Sequence, residues 1–123
     1  MHYFTPRKLA ELLGSGRHGT LDHMAQVRTG WALLVLSPIL LVILACTIGA
    51  DRDEVREVFS HPVIAILTGL FLFISMRHFM LGMCNVLNDY TTGATRAALN
   101  LLSGGIAYLT IGAGLFALAT LAL

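Results

Sequence analysis

Three long apolar runs separated by short polar stretches organise this chain. Residues 27–50 carry no charge beyond Arg28, residues 63–87 are broken only by Arg77 and His78, and residues 97–123 carry none. Each run exceeds the roughly 20 residues that cross about 30 Å of hydrocarbon at about 1.5 Å per residue, so each predicts a spanning helix. Thr5-Pro6, the residues to Leu13 and then Gly14-Ser15-Gly16 read as a short surface helix with Thr5 as N-cap and Gly14 as its stop. Gly14 to Gly19 reads as a turn, after which Thr20 caps the helix that enters the membrane near Arg28. Pro38 predicts a kink within the first span. Residues 51–59 place opposite charges three and four apart and predict a short amphipathic surface helix, before His61-Pro62 opens the second span. The predicted fold class is an all-α membrane protein, with three transmembrane helices and a short N-terminal surface helix in one domain covering residues 1–123.

The second run carries a pattern of its own. Thr68, Phe71, Ser75, His78, Gly82, Asn85 and Asp89 recur at steps of three and four, so nearly every polar or small residue shares one stripe while Ile, Leu, Phe, Val and Met fill the other faces. Two readings of His78 follow. The imidazole can ligate the iron of a flat macrocycle, which Gly82 one turn on allows close to the helix backbone. It can equally hydrogen-bond across to a neighbouring span and serve helix packing alone.

Composition agrees with the membrane class, since the 123 residues are 56% apolar and 12% charged, with a mean hydropathy of +0.76. A net charge of +1 says nothing about partners, among which no nucleic acid is expected. The distribution of charge sets orientation instead. Arg7, Lys8, Arg17, Arg28 and Arg96 fall on one side, against Arg52 and Arg56 with four acids on the other. The N-terminus and the loop at residues 88–96 are therefore predicted to be cytoplasmic, with the C-terminus outside. The first run is long, contains Pro38 and lacks a small-x-small cleavage site, so the chain reads as mature from Met1. Cys46 and Cys84 fall in opposite halves of the bilayer, too far apart for a disulfide, and read as small buried hydrophobes.

Two arginines bracket the chemistry. Arg28 reads as an interfacial cation at the mouth of the first span, with Trp31 in the aromatic belt. Arg77 is the costly residue, because near mid-membrane it needs a carboxylate, carbonyl or propionate, and this chain has no intramembrane acid to offer. The third span, with Ser103, Gly104, Gly105, Gly112, Ala113 and Gly114, reads as scaffold whose narrow Gly105–Gly112 face suits close helix packing.

His78-x-x-x-Gly82 followed by Val86-Leu87-x-Asp89-Tyr90, with Gly16-Arg17-His18-Gly19-Thr20-x-Asp22-His23 leading to Arg28, resembles the cytochrome b small membrane-anchor subunits of succinate dehydrogenase, the respiratory succinate:quinone oxidoreductase. The three spans and the chain length are similar too. The resemblance implies that His78 is one axial ligand of a b-type haem, the other coming from a second anchor subunit. It implies that Tyr90 hydrogen-bonds a quinone carbonyl with Asp89 beside it, and that Arg28 lies near the quinone pocket and the haem propionates. It further implies a chain not catalytic alone, bound in the bacterial cytoplasmic membrane to a flavoprotein, an iron–sulphur subunit and a larger cytochrome b anchor, and a trimer of such heterotetramers. Arg77 and Cys84 depart from the family pattern without touching its matched positions.

Geometry read from the residues is compatible with that assignment. His78 and Tyr90 lie about 18 Å apart along a helix, which puts the imidazole within the bilayer and the tyrosine at its edge, where protons are available. His2, His18, His23 and His61 lie at or beyond the membrane edges, so bis-histidine ligation requires a partner. The alternative from another class is a small structural or transport protein in which Arg77, His78 and Asp89 line a polar path.

Overall fold

The structure, a computed structural model, describes residues 17–122. The surface helix read at residues 5–13 lies outside the described residues. Four helices follow in order: α1 (Arg17–Cys46), α2 (Arg52–Ser60), α3 (Pro62–Tyr90) and α4 (Gly93–Ala122). Three of them, α1, α3 and α4, are long and apolar enough to cross a membrane. The all-α membrane architecture read from the apolar runs is the one observed.

Local signals account for most boundaries. Pro62 stands at the first position of α3 behind His61, where its missing N–H is no loss. At the start of α2 the Asp51 backbone N–H donates to Glu54 Oε2 at 3.2 Å, one limb of a capping box. Gly93 enters α4 with φ of +59°, a conformation open to glycine. The N-terminal boundary of α1 differs from the reading above. The helix already includes Arg17, so Thr20 lies inside it and does not cap it. Starting earlier brings the N–H groups after Gly19 into intrahelical bonds, whereas a hydroxyl cap at Thr20 satisfies one. The helix also runs unbroken through Pro38.

The three long helices form an open layer. Among the described residues α3 packs against α1 on one side and α4 on the other, α1 does not touch α4, and α2 packs against both α3 and α4. The core is correspondingly thin, limited to Leu36, Leu40, Leu87, Ala107 and the polar Ser103. Large apolar side chains such as Leu41, Ile66, Leu101 and Phe116 point outward. In hydrocarbon this is the stable arrangement, since helices there associate by close packing and hydrogen bonding rather than by expulsion of water.

Close packing of α3 on α4 rests on one glycine in particular. A Cβ at Gly114 would overlap Leu72 Cδ2, and one at Gly69 would lie 3.3 Å from Leu115 Cδ2. The face of α4 that packs runs through Asn100, Ser103, Ala107, Ile111, Gly114 and Leu118, with Ala107 fully enclosed. Gly105 and Gly112, read above as the packing face, have open space where a Cβ would stand. They lie on the opposite side of α4, because a stripe three and four residues apart through Ser103 and Ala107 excludes them.

Candidate functional site

The part of the polar stripe of α3 that runs from His78 through Gly82 to Asn85 faces α1, while Thr68 and Phe71 further along it line a groove with α2 and α4. Its rungs are the only polar side-chain bridges between these two helices among the described residues. In the deeper rung, His78 Nδ1 lies 2.8 Å from Thr29 Oγ1. In the shallower one, Asn85 Nδ2 donates to Gln26 Oε1 at 2.6 Å. Between them the Gln26 amide occupies the space before Gly82, where a Cβ would come 3.5 Å from Nε2 of Gln26. A Cβ at Gly30 would likewise lie 3.5 Å from His78 Cε1, so α1 presents its own small residue to the edge of the imidazole. The notch at Gly82, read as room for a macrocycle, is lined by α1 in this chain.

His78 is half-buried. Its Nε2 has no hydrogen-bond partner among the described residues, and it is not sealed in by them. Ligation of a bare metal ion does not fit, because the described residues hold no cluster of three or more His, Cys, Asp or Glu. A single imidazole with one nitrogen tied and the other open fits an iron whose four equatorial positions come from a macrocycle. Among the described residues no second imidazole stands beside it, as His23 and His61 lie near the ends of α1 and α3.

The other expected site residues are placed separately from His78. Tyr90 ends α3 with 84% of its surface exposed, and Asp89 beside it is exposed as well. Arg28 is exposed on α1, where its Nε donates to the Met24 carbonyl at 3.3 Å. In height it falls between the two rungs, closer to the imidazole than to Tyr90, which lies five residues or about 8 Å beyond Asn85. No hydrogen bond joins Arg28, Asp89 and Tyr90 among the described residues. Arg77 is exposed on α3, about 100° around the helix from His78. Cys46 is exposed rather than buried, while Cys84 is half-buried, and both are free thiols.

Arg96 has a role beyond setting orientation. Its Nε donates to Thr91 O at 2.8 Å and its Nη2 to Asn88 O at 2.9 Å and to Thr91 O. A guanidinium thus satisfies carbonyls that the end of α3 leaves without donors, and it brackets Asp89 and Tyr90 between two fixed peptide groups. The sequence offered a signal for this, a cation shortly after the end of a predicted helix. Gln26, Thr29 and Gly30 had a weaker one, three polar or small residues at helical spacing next to Arg28.

Comparison with known proteins bears on this arrangement. The pattern that defines the succinate dehydrogenase/fumarate reductase transmembrane subunits matches residues 1–121. The chain belongs to that family. It is 37% identical, over all 123 of its residues and 95% of the relative, to the succinate dehydrogenase hydrophobic membrane anchor subunit of Paracoccus denitrificans. No solved structure matches it. Membership of the family makes the three helices of this chain the membrane part of a larger complex.

Proposed function

We propose that this chain is the small membrane anchor of a bacterial succinate:quinone oxidoreductase, holding a b-type haem jointly with a second anchor subunit and forming part of the quinone-reduction site. The observation that carries the reading is the state of His78, one nitrogen tied to Thr29 and the other open. Family membership and the relative's printed role as a membrane anchor support it further. A bound haem supplies one-electron transfer between the soluble subunits and the quinone.

Each residue of this chain then has a task of its own. His78 binds iron through Nε2. The Arg28 guanidinium, level with the rungs, offsets propionate charge at the edge of the macrocycle. Tyr90 offers its hydroxyl as a hydrogen-bond donor to a quinone carbonyl at the cytoplasmic edge, and Asp89 next to it can hold a proton on its way to the reduced ring. Arg77, facing outward from α3, favours a partner subunit over lipid, since a charge exposed to hydrocarbon at that depth costs about 2.5–3.5 kcal/mol or more. That partner is the larger cytochrome b anchor, and the flavoprotein and iron–sulphur subunits dock on the cytoplasmic face beside Tyr90. The transport reading has less support. The grooves between α3 and α4, about 450 and 460 Å³, have almost wholly apolar linings, and direct hydrogen bonds close the polar rungs between α1 and α3.

The test is an optical spectrum of the complex purified from membranes, oxidised and reduced, for wild type and His78→Leu. A reduced b-type signal in wild type that is lost or shifted in His78→Leu is expected. An intact wild-type complex without haem would overturn the reading.

A further inference from the structure

We infer that Thr29 is the positioning residue for His78: its hydroxyl accepts a hydrogen bond from Nδ1–H and so fixes the tautomer whose lone pair is on Nε2, the nitrogen presented to iron. The inference rests on the haem reading above, and the protons at one oxygen carry it. Thr29 Oγ1 has three neighbours, the Ala25 carbonyl at 3.0 Å, the Gln26 carbonyl at 2.9 Å and His78 Nδ1 at 2.8 Å. The carbonyls only accept, and the hydroxyl has a single proton. With that proton directed at a carbonyl of its own helix, the oxygen's lone pairs are free to accept from Nδ1–H, and both donors are satisfied. In the reverse arrangement the hydroxyl donates to Nδ1, both carbonyl contacts are given up, and the ring proton moves to Nε2. No described residue accepts it there. A polar N–H without an acceptor inside a membrane is costly, so the first arrangement prevails.

Gly30 flanks the ring. The imidazole edge at Cε1 lies beside Gly30 of α1, where a Cβ would stand at an ordinary van der Waals distance of 3.5 Å, so the ring is fixed at Nδ1 and flanked at Cε1 while Nε2 stays open. Orientation and electronic character then change together. An imidazole that donates Nδ1–H to an acceptor is a stronger base at Nε2, which favours the ferric state and lowers the midpoint potential of a haem it ligates.

The experiment uses the complex purified with all its partner subunits, comparing wild type with Thr29→Val, which keeps the shape but has no hydroxyl, and Thr29→Ser, which restores one. Haem content, the midpoint potential from an optical redox titration and the g values of the ferric haem are read. Thr29→Val is expected to raise the midpoint potential and shift the g values at wild-type haem content, and Thr29→Ser to return both toward wild type. Loss of haem in Thr29→Val with retention in Thr29→Ser supports the same role. If the valine complex does not assemble, Thr29→Ala removes the hydroxyl with less bulk and carries the same comparison. A haem of wild-type potential and g values in Thr29→Val or Thr29→Ala overturns the proposal and leaves the haem reading standing. A wild-type complex with no haem overturns both.

Discussion

Asn85 on α3 donates its side-chain N–H to the side-chain carbonyl of Gln26 on α1 at 2.6 Å, closing the shallower of the two rungs that join these helices. Replacing one partner leaves the other facing an apolar neighbour. Gln26→Leu and Asn85→Leu should each lower the thermal stability of the chain in detergent, by about 0.6–1.7 kcal/mol on the scale of interhelical hydrogen bonds in membranes. The double variant should lose less than the sum, because no orphaned amide remains. Additive losses across the cycle would mean that the rung contributes nothing as a pair.

The helix pair α3–α4 makes a sharper steric prediction. Gly114→Ala puts a methyl group into Leu72 and should cost on the order of 1–3 kcal/mol, as overpacking does. Gly104→Ala meets nothing within 4 Å in this chain and should be neutral or slightly stabilising by helix propensity. Thermal unfolding of the chain in micelles checks both. Adding Leu72→Ala to Gly114→Ala should recover part of the loss, which a mere propensity effect at position 114 cannot explain.

These packing details mark where sequence reasoning stops. The number and type of helices were legible because a run of apolar residues longer than the bilayer is thick has one stable solution. The stripe from His78 through Gly82 to Asn85 was legible for a similar reason, since helical spacing alone places those residues on one face. Which helix meets that face depends on the register of α1 against α3, and neither segment states it alone. In the sequence Gln26 and Thr29 therefore stand out less than Arg28, their charged neighbour. The packing glycine of α4 is hidden in the sequence on the same ground. Seven small residues within twelve positions offer several faces, and only the shape of Leu72 on the neighbouring helix selects Gly114.

Arg96 gives a prediction about order at the end of α3. Arg96→Ala removes the donors to the Asn88 and Thr91 carbonyls, each a charge-assisted bond worth about 1.5–3 kcal/mol. Amide hydrogen exchange across residues 88–93 should accelerate, with the middle of α3 unaffected. Arg96→Lys keeps the charge but cannot reach both carbonyls through a planar fork, so it should restore the protection only in part. Unchanged exchange in Arg96→Ala would show that the turn at Gly93 is held without the guanidinium.

The last prediction separates Tyr90 from His78. The Tyr90 side chain is 84% exposed at the end of α3, and its hydroxyl has no partner among the described residues, so Tyr90→Phe removes nothing that this chain uses to fold. Stability in detergent should stay at the wild-type value. If the hydroxyl donates to a quinone carbonyl, the same variant should lower quinone reduction by the assembled complex roughly ten- to a hundredfold, the equivalent of about 1.5–3 kcal/mol for a hydrogen bond to developing negative charge. The haem spectrum should be unchanged, because His78 stands about 18 Å away along the same helix. Succinate oxidation by a dye that takes electrons before the membrane should also survive. Together these results would place the defect at the quinone and nowhere else. Wild-type quinone reductase activity in a fully assembled Tyr90→Phe complex would instead make Tyr90 an aromatic anchor at the membrane edge, and it would move the quinone site away from this end of α3.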